Sequence, residues 1–156
     1  MKIFIHSNEK LIGAAILVVR VTLGVLMFAH GAQKVFGVFG GKGLDETVAM
    51  MSKGLDMPSW LAYLSCFTEL VGGIGIIFGV LTRFFSIAVL INMLVAVFAV
   101  HFKNGLLGPG GFEFPGSLAM LALTIALAGR ISPSGLGVVS SLIYCIPTVS
   151  DVSSVA

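Results

Sequence analysis

Charge is what this sequence has least of. Of 156 residues only nine are Lys or Arg and seven are Asp or Glu. Charged residues make up 10% of the chain, where soluble domains carry about 25%. So little polar material cannot coat a water-facing surface. With 57% hydrophobic residues and a mean hydropathy of +1.08, the natural solvent for this chain is a lipid bilayer. The basic residues gather in no patch or stripe, which argues against nucleic acid as a partner. Cysteine is nearly missing: Cys66 and Cys145 lie far apart and form no CxxC or metal-ligand spacing. Cys66 sits in an apolar run and reads as a small buried hydrophobe. A CxxCH motif, an iron–sulfur cysteine set and a dinucleotide-binding glycine pattern are all lacking, so no intrinsic redox cofactor is expected.

What is present is apolar sequence in four segments, about 11–36, 60–81, 84–101 and 114–130. A membrane helix needs about 20 apolar residues. Helices are the open-chain solution in lipid because each backbone polar group must be satisfied within its own segment. The expected fold is therefore all-α: one antiparallel four-transmembrane-helix bundle occupying the whole chain. The first segment contains Arg20 and lacks a small-x-small cleavage site, so it reads as a retained span rather than a signal peptide. Thr82-Arg83 forms a tight turn between the second and third spans. The glycine-rich loop after Phe36 holds a short helix near Leu44–Lys53. Pro58 and Pro115 suit helix starts. Beyond Ser132-Pro133-Ser134-Gly135, residues 136–147 form about half a span, expected as a short interfacial C-terminal helix. Lys2, Lys10, Arg83 and Arg130 fall on one side of the membrane and Lys42, Lys53 and Lys103, with Lys34 if it reaches the surface, on the other, so both termini are expected in the cytoplasm.

The functional candidates are the polar residues that lipid penalises. Ionisable groups inside spans cost at least about 2.5–3.5 kcal/mol each at the centre and face the bundle interior. Counted from the span ends, Arg20, Glu69 and Asn92 come to neighbouring depths of about 12–18 Å. In span one, Gly13, Arg20, Gly24, Met27, Gly31 and Lys34 form one helical stripe, and Ala62, Cys66, Glu69, Gly73 and Ile76 form its match in span two. Gly75 and Gly79 make a separate GxxxG. This pattern predicts an Arg20–Glu69 ion pair with Asn92 taking up leftover hydrogen bonds. Such a pair either fixes helix register or takes part in chemistry. A second group, His30, Lys34, His101, Asn104 and Glu113, collects where spans one, three and four reach the same surface. It suits the polar head of an amphiphile whose tail lies among the helices, and it equally suits ordinary interfacial snorkelling. A metal site from His30, His101 and Glu113 lacks any HxxxH-type pair, so no metal is expected.

Arg20, His30-Gly31-x-x-Lys34, Glu69-x-x-Gly72-Gly73, Leu81-Thr82-Arg83, His101-x-x-Asn104-Gly105 and Gly110-Gly111-x-Glu113 follow one another in an order that resembles the DoxX family of bacterial and archaeal membrane proteins. The resemblance spans about Leu11 to Ser134. It implies a four-helix fold in the bacterial inner (plasma) membrane and an association with respiratory or thiol redox chemistry. Some relatives are described as small subunits of quinone-linked oxidoreductases, and others accompany thiol-stress proteins. The expected function is thus a quinone-interacting subunit or accessory of a membrane oxidoreductase, with quinone as ligand and a redox partner protein supplying electrons. The alternatives are a non-catalytic binder or transporter of a small lipophilic molecule, and a structural subunit of a membrane complex.

Overall fold

The computed structural model describes residues 2–107 and 109–128, with side chains from residue 12 onward. Every regular element among them is helical: α1 (Lys2–Phe36), α2 (Leu44–Gly54), α3 (Ser59–Phe78), α4 (Thr82–Ala96) and α5 (Glu113–Ala128). Three stretches are long and apolar enough to cross a membrane, Ile12–Phe36, Ser59–Phe78 and Thr82–Asn104. The last continues α4 through a π-helical turn, Val97–His101, and a single 3₁₀ turn, Phe102–Asn104. α5 is apolar but shorter, at 16 residues. The expected end of the fourth segment at 130 and the expected interfacial helix at 136–147 lie outside the described residues.

Glycine stops the first two crossings. Gly37 takes φ 70° and its N–H bonds the Gln33 carbonyl at 3.2 Å, the single-bond left-handed cap. Gly79 takes φ 75° and closes α3 with two bonds, Gly79 N–H to Ile76 O and Val80 N–H to Gly75 O, the six-to-one and five-to-two pair of a Schellman ending. The turn is consequently Gly79–Leu81, and Thr82-Arg83, expected as the turn itself, belongs to the first turn of α4. The supposed GxxxG splits into two unrelated roles: Gly79 is this cap, and Gly75 makes room for the Phe85 ring.

α1 packs on α3 and α5, and α4 packs on α3 and α5. Their shared core is Leu23 and Met27 from α1, Ile76 from α3, Val89 and Met93 from α4, and Leu118, Ala119, Ala122 and Ile125 from α5. The tightest contact is between α1 and α3. A methyl group at Gly31 would overlap the Leu70 backbone, one at Gly73 the Phe28 backbone, and one at Gly24 the Ile77 side chain. Bare backbones touching at small residues is how membrane helices associate without a hydrophobic drive between them. The three contacts fix an antiparallel register of 24 against 77, 28 against 73 and 31 against 70.

Gly31→Ala and Gly73→Ala each force α1 and α3 apart and are expected to lower stability by about 1–3 kcal/mol. Gly13→Ala meets open space and is expected to stay within about 0.5 kcal/mol. Thermal unfolding in detergent checks the contrast, and equal losses at all three positions would contradict the register.

Candidate functional site

Register decides which charges meet. Glu69 lies opposite Gly31, whereas Arg20 lies a further eleven residues toward the N-terminus of α1, about 16 Å along the axis. The predicted Arg20–Glu69 pair is therefore not formed. Lys34 takes the place of Arg20: its Nζ donates to Glu69 Oε1 at 2.6 Å, and Asn92 Nδ2 donates to the same oxygen at 3.1 Å. Glu69 is 2% exposed, while the Lys34 side chain keeps 32% of its surface. The lysine thus delivers its ammonium to a buried carboxylate, the reverse of snorkelling to the interface. Arg20 instead rests its guanidinium against the bare backbone of Gly79, where a side chain would stand within 3.4 Å of it. That position is the C-terminal end of α3, the negative pole of the helix dipole. Its Nε and Nη2 are buried and have no hydrogen-bond partner among the described residues.

The outer group of candidates is also divided. His101 Nδ1 lies 2.6 Å from the Gly110 carbonyl, and Asn104 Nδ2 donates to the same oxygen at 3.0 Å. A carbonyl only accepts, so Nδ1 carries the proton and a neutral His101 ring keeps its lone pair on Nε2. Together with Phe112 N–H to Gly105 O and Glu113 N–H to Leu106 O, these bonds close the loop between α4 and α5 into one unit. Two motifs that are separate in sequence are thus a single latch. His30 packs edge-on against the Phe114 ring, with centroids 5.4 Å apart. Glu113 opens α5, and its backbone carbonyl accepts from the Ser117 hydroxyl. Of the eight candidates, Lys34, Glu69, Asn92 and His101 line one cavity; Arg20, His30, Asn104 and Glu113 are not among its lining residues.

That cavity is a groove of about 810 Å³ between α3 and α4, roofed by α2. Its walls are apolar: Phe67, Val71, Phe84, Ile91 and Val95 line it and are themselves exposed on the surface that faces lipid. The roof carries Met50 and Met51, and Met57 joins them from the link between α2 and α3. Sequence reasoning found the α2 helix but not this role; the run of thioethers at its end was the available signal, since methionine adapts to irregular cavities. Lys34, Glu69 and Asn92 form the polar end. Such a lining, mostly apolar with a few placed polar groups, is that of a small-molecule site. No group of three His, Cys, Asp or Glu side chains that could hold a metal occurs among the described residues.

With this geometry in hand, the chain matches the DoxX family over residues 15–102, more than half of its length. It belongs to the DoxX family. Those DoxX residues run from within α1 past the π-helical turn, and so contain Lys34, Glu69, Asn92 and His101. A curated relative, "Putative oxidoreductase CatD" of Bacillus subtilis (strain 168), is 27% identical over 113 residues, covering 72% of this chain and 78% of the relative. No solved structure matches the chain. This DoxX protein is accordingly a multi-pass membrane protein.

Lys34→Met removes the ammonium and leaves Glu69 with Asn92 alone. The expected loss is about 3 kcal/mol, at the low end for a broken buried pair because Lys34 is partly exposed. Lys34→Met combined with Glu69→Met is expected to recover most of it. In double-mutant cycles Lys34 and Glu69 couple strongly, whereas Arg20 and Glu69 are additive within about 0.5 kcal/mol. Unfolding free energies in detergent supply the measurement.

Proposed function

We propose that this chain binds a quinone-class amphiphile in the groove between α3 and α4 and serves as a membrane subunit or accessory of a redox system. The observation that carries the reading is one cavity with two chemistries. Its apolar walls open toward the hydrocarbon, and its inner end presents Lys34, Glu69 and Asn92. A ring with polar substituents and an isoprenoid or alkyl tail has that same division. The tail enters sideways from the bilayer, and the head meets the charged end. α5 completes the bundle as a fourth crossing, and both termini lie in the cytoplasm. Electrons come from a partner protein, since the sequence carries no cofactor motif of its own. The oxidoreductase name of the Bacillus relative supports the redox setting.

The alternative of a purely structural subunit calls for a core closed by side chains, and an open groove of this size speaks against it. A lipophilic binder without redox coupling shares the groove, and the identity of the retained molecule separates it from the redox reading.

Mass spectrometry of gently extracted protein is expected to find a quinone-class molecule. Ala88→Trp, a bulky ring at a residue that lines the groove but is neither member of the ion pair, is expected to weaken binding of a decyl-substituted benzoquinone by about tenfold or more, 1.4 kcal/mol for each factor of ten. His30→Ala, outside the groove, is expected to leave it unchanged. Absence of both a retained lipophile and measurable quinone binding would overturn the reading.

A further inference from the structure

The Glu69 carboxylate is only half used. Oε1 receives both donors, Lys34 Nζ and Asn92 Nδ2, while Oε2 is buried and receives none among the described residues. A buried acceptor without a donor carries an unrepaid desolvation penalty, larger for a charged group than for a neutral one. Glu69 lines the groove, and so does Lys34. The lysine ammonium has three N–H donors, of which one is directed to Oε1. Glu69 and Lys34, which both line the groove, therefore hold among the described residues an acceptor without a donor, shielded from solvent, and donors without an acceptor.

The chemistry of the ligand head follows from that pairing. A hydroxyl answers both at once, because its O–H donates to Oε2 while its lone pair accepts from Nζ. A carbonyl or ether oxygen accepts from Nζ but leaves Oε2 as bare as before. A charge-assisted bond of O–H to a carboxylate is also among the stronger hydrogen bonds. We infer that the groove selects the hydroxyl-bearing, reduced form of its ligand, binding a quinol in preference to the corresponding quinone, with Glu69 Oε2 as the discriminating atom. This deepens the quinone-class reading and rests on it. A lipid with a hydroxyl head offers the same pair of bonds, so the two sources must be told apart.

The test uses the full chain in lipid nanodiscs under anaerobic conditions, with four probes competing for the groove: a decyl-substituted benzoquinone, its quinol, the dimethyl ether of that quinol, and dodecanol. The quinol is expected to bind about tenfold tighter than the quinone or the ether, or more, and dodecanol to compete poorly. Quinone or ether binding as tightly as the quinol overturns the preference while leaving the groove occupied by a quinone-class ring. Binding of none of the four overturns the preference together with the proposed function. Dodecanol competing as well as the quinol upholds the hydroxyl requirement but overturns the quinone-class reading. Glu69→Gln, whose amide can donate to a carbonyl, is expected to erase the preference for quinol; retention of the preference in that variant would rule out Oε2 as the discriminating atom. If that variant fails to fold, the probe series on the unaltered protein decides the matter alone.

Discussion

The direct backbone contact between α1 and α3 governs the rest of the molecule. Gly24, Gly31 and Gly73 have no side chains to hold the helices apart, and the register they impose is rigid. A slide of one helical turn would drive Cβ atoms of neighbouring residues into the opposing backbone. The polar pairing inherits this register. Glu69 stands opposite the last turns of α1 because Gly31 lies against Leu70, and only a long basic side chain near the end of α1 can reach it. Lys34 fulfils that requirement, with four methylenes to span the remaining distance.

In lipid an unpartnered charge cannot retreat into solvent, so the energetic arrangement of Glu69 differs from that of a surface carboxylate. A pair of this kind contributes little net stability against an apolar replacement, yet breaking it on one side is costly. Its value lies in holding a polar end to an otherwise greasy groove. α3 and α4 are separated there by ring and aliphatic side chains exposed on their outer faces, and Asn92 ties α4 to the carboxylate at one point. The groove is thus closed at its polar end and open along its apolar side.

The sequence made three crossing segments legible, those of α1, α3 and α4, along with the two facing stripes of α1 and α3. A 3.6-residue period survives in lipid as it does in water, here written in small and polar residues rather than large apolar ones. Glu69 and Asn92 also met as the spacing suggested. What periodicity could not supply was the offset between helices. Depths counted from the ends of apolar runs assume that every helix starts flush with one surface, but α1 begins at Lys2, well before its apolar part. That assumption put Arg20 opposite Glu69, when the glycine contacts put it at the end of α3. The outer polar group was misjudged for a different reason. His101 and Asn104 converge on the Gly110 carbonyl, nine and six residues further along the sequence, a loop geometry that depends on the positive φ of Gly105 and Gly110 and leaves no periodic trace.

The π-helical turn at Val97–His101 carries a last implication. Such a turn accommodates one residue more than an α-helix does, and each residue in an α-helix advances the chain by about 100°. The bulge therefore acts as a rotational offset between the shaft of α4, which Asn92 anchors, and the segment beyond it. A chain one residue shorter at this point would run on as plain α-helix and swing the imidazole of His101 to another side of the helix, away from the Gly110 carbonyl that closes the loop. At this place in the protein the number of residues matters more than their kind, and insertions or deletions should be tolerated less well here than substitutions.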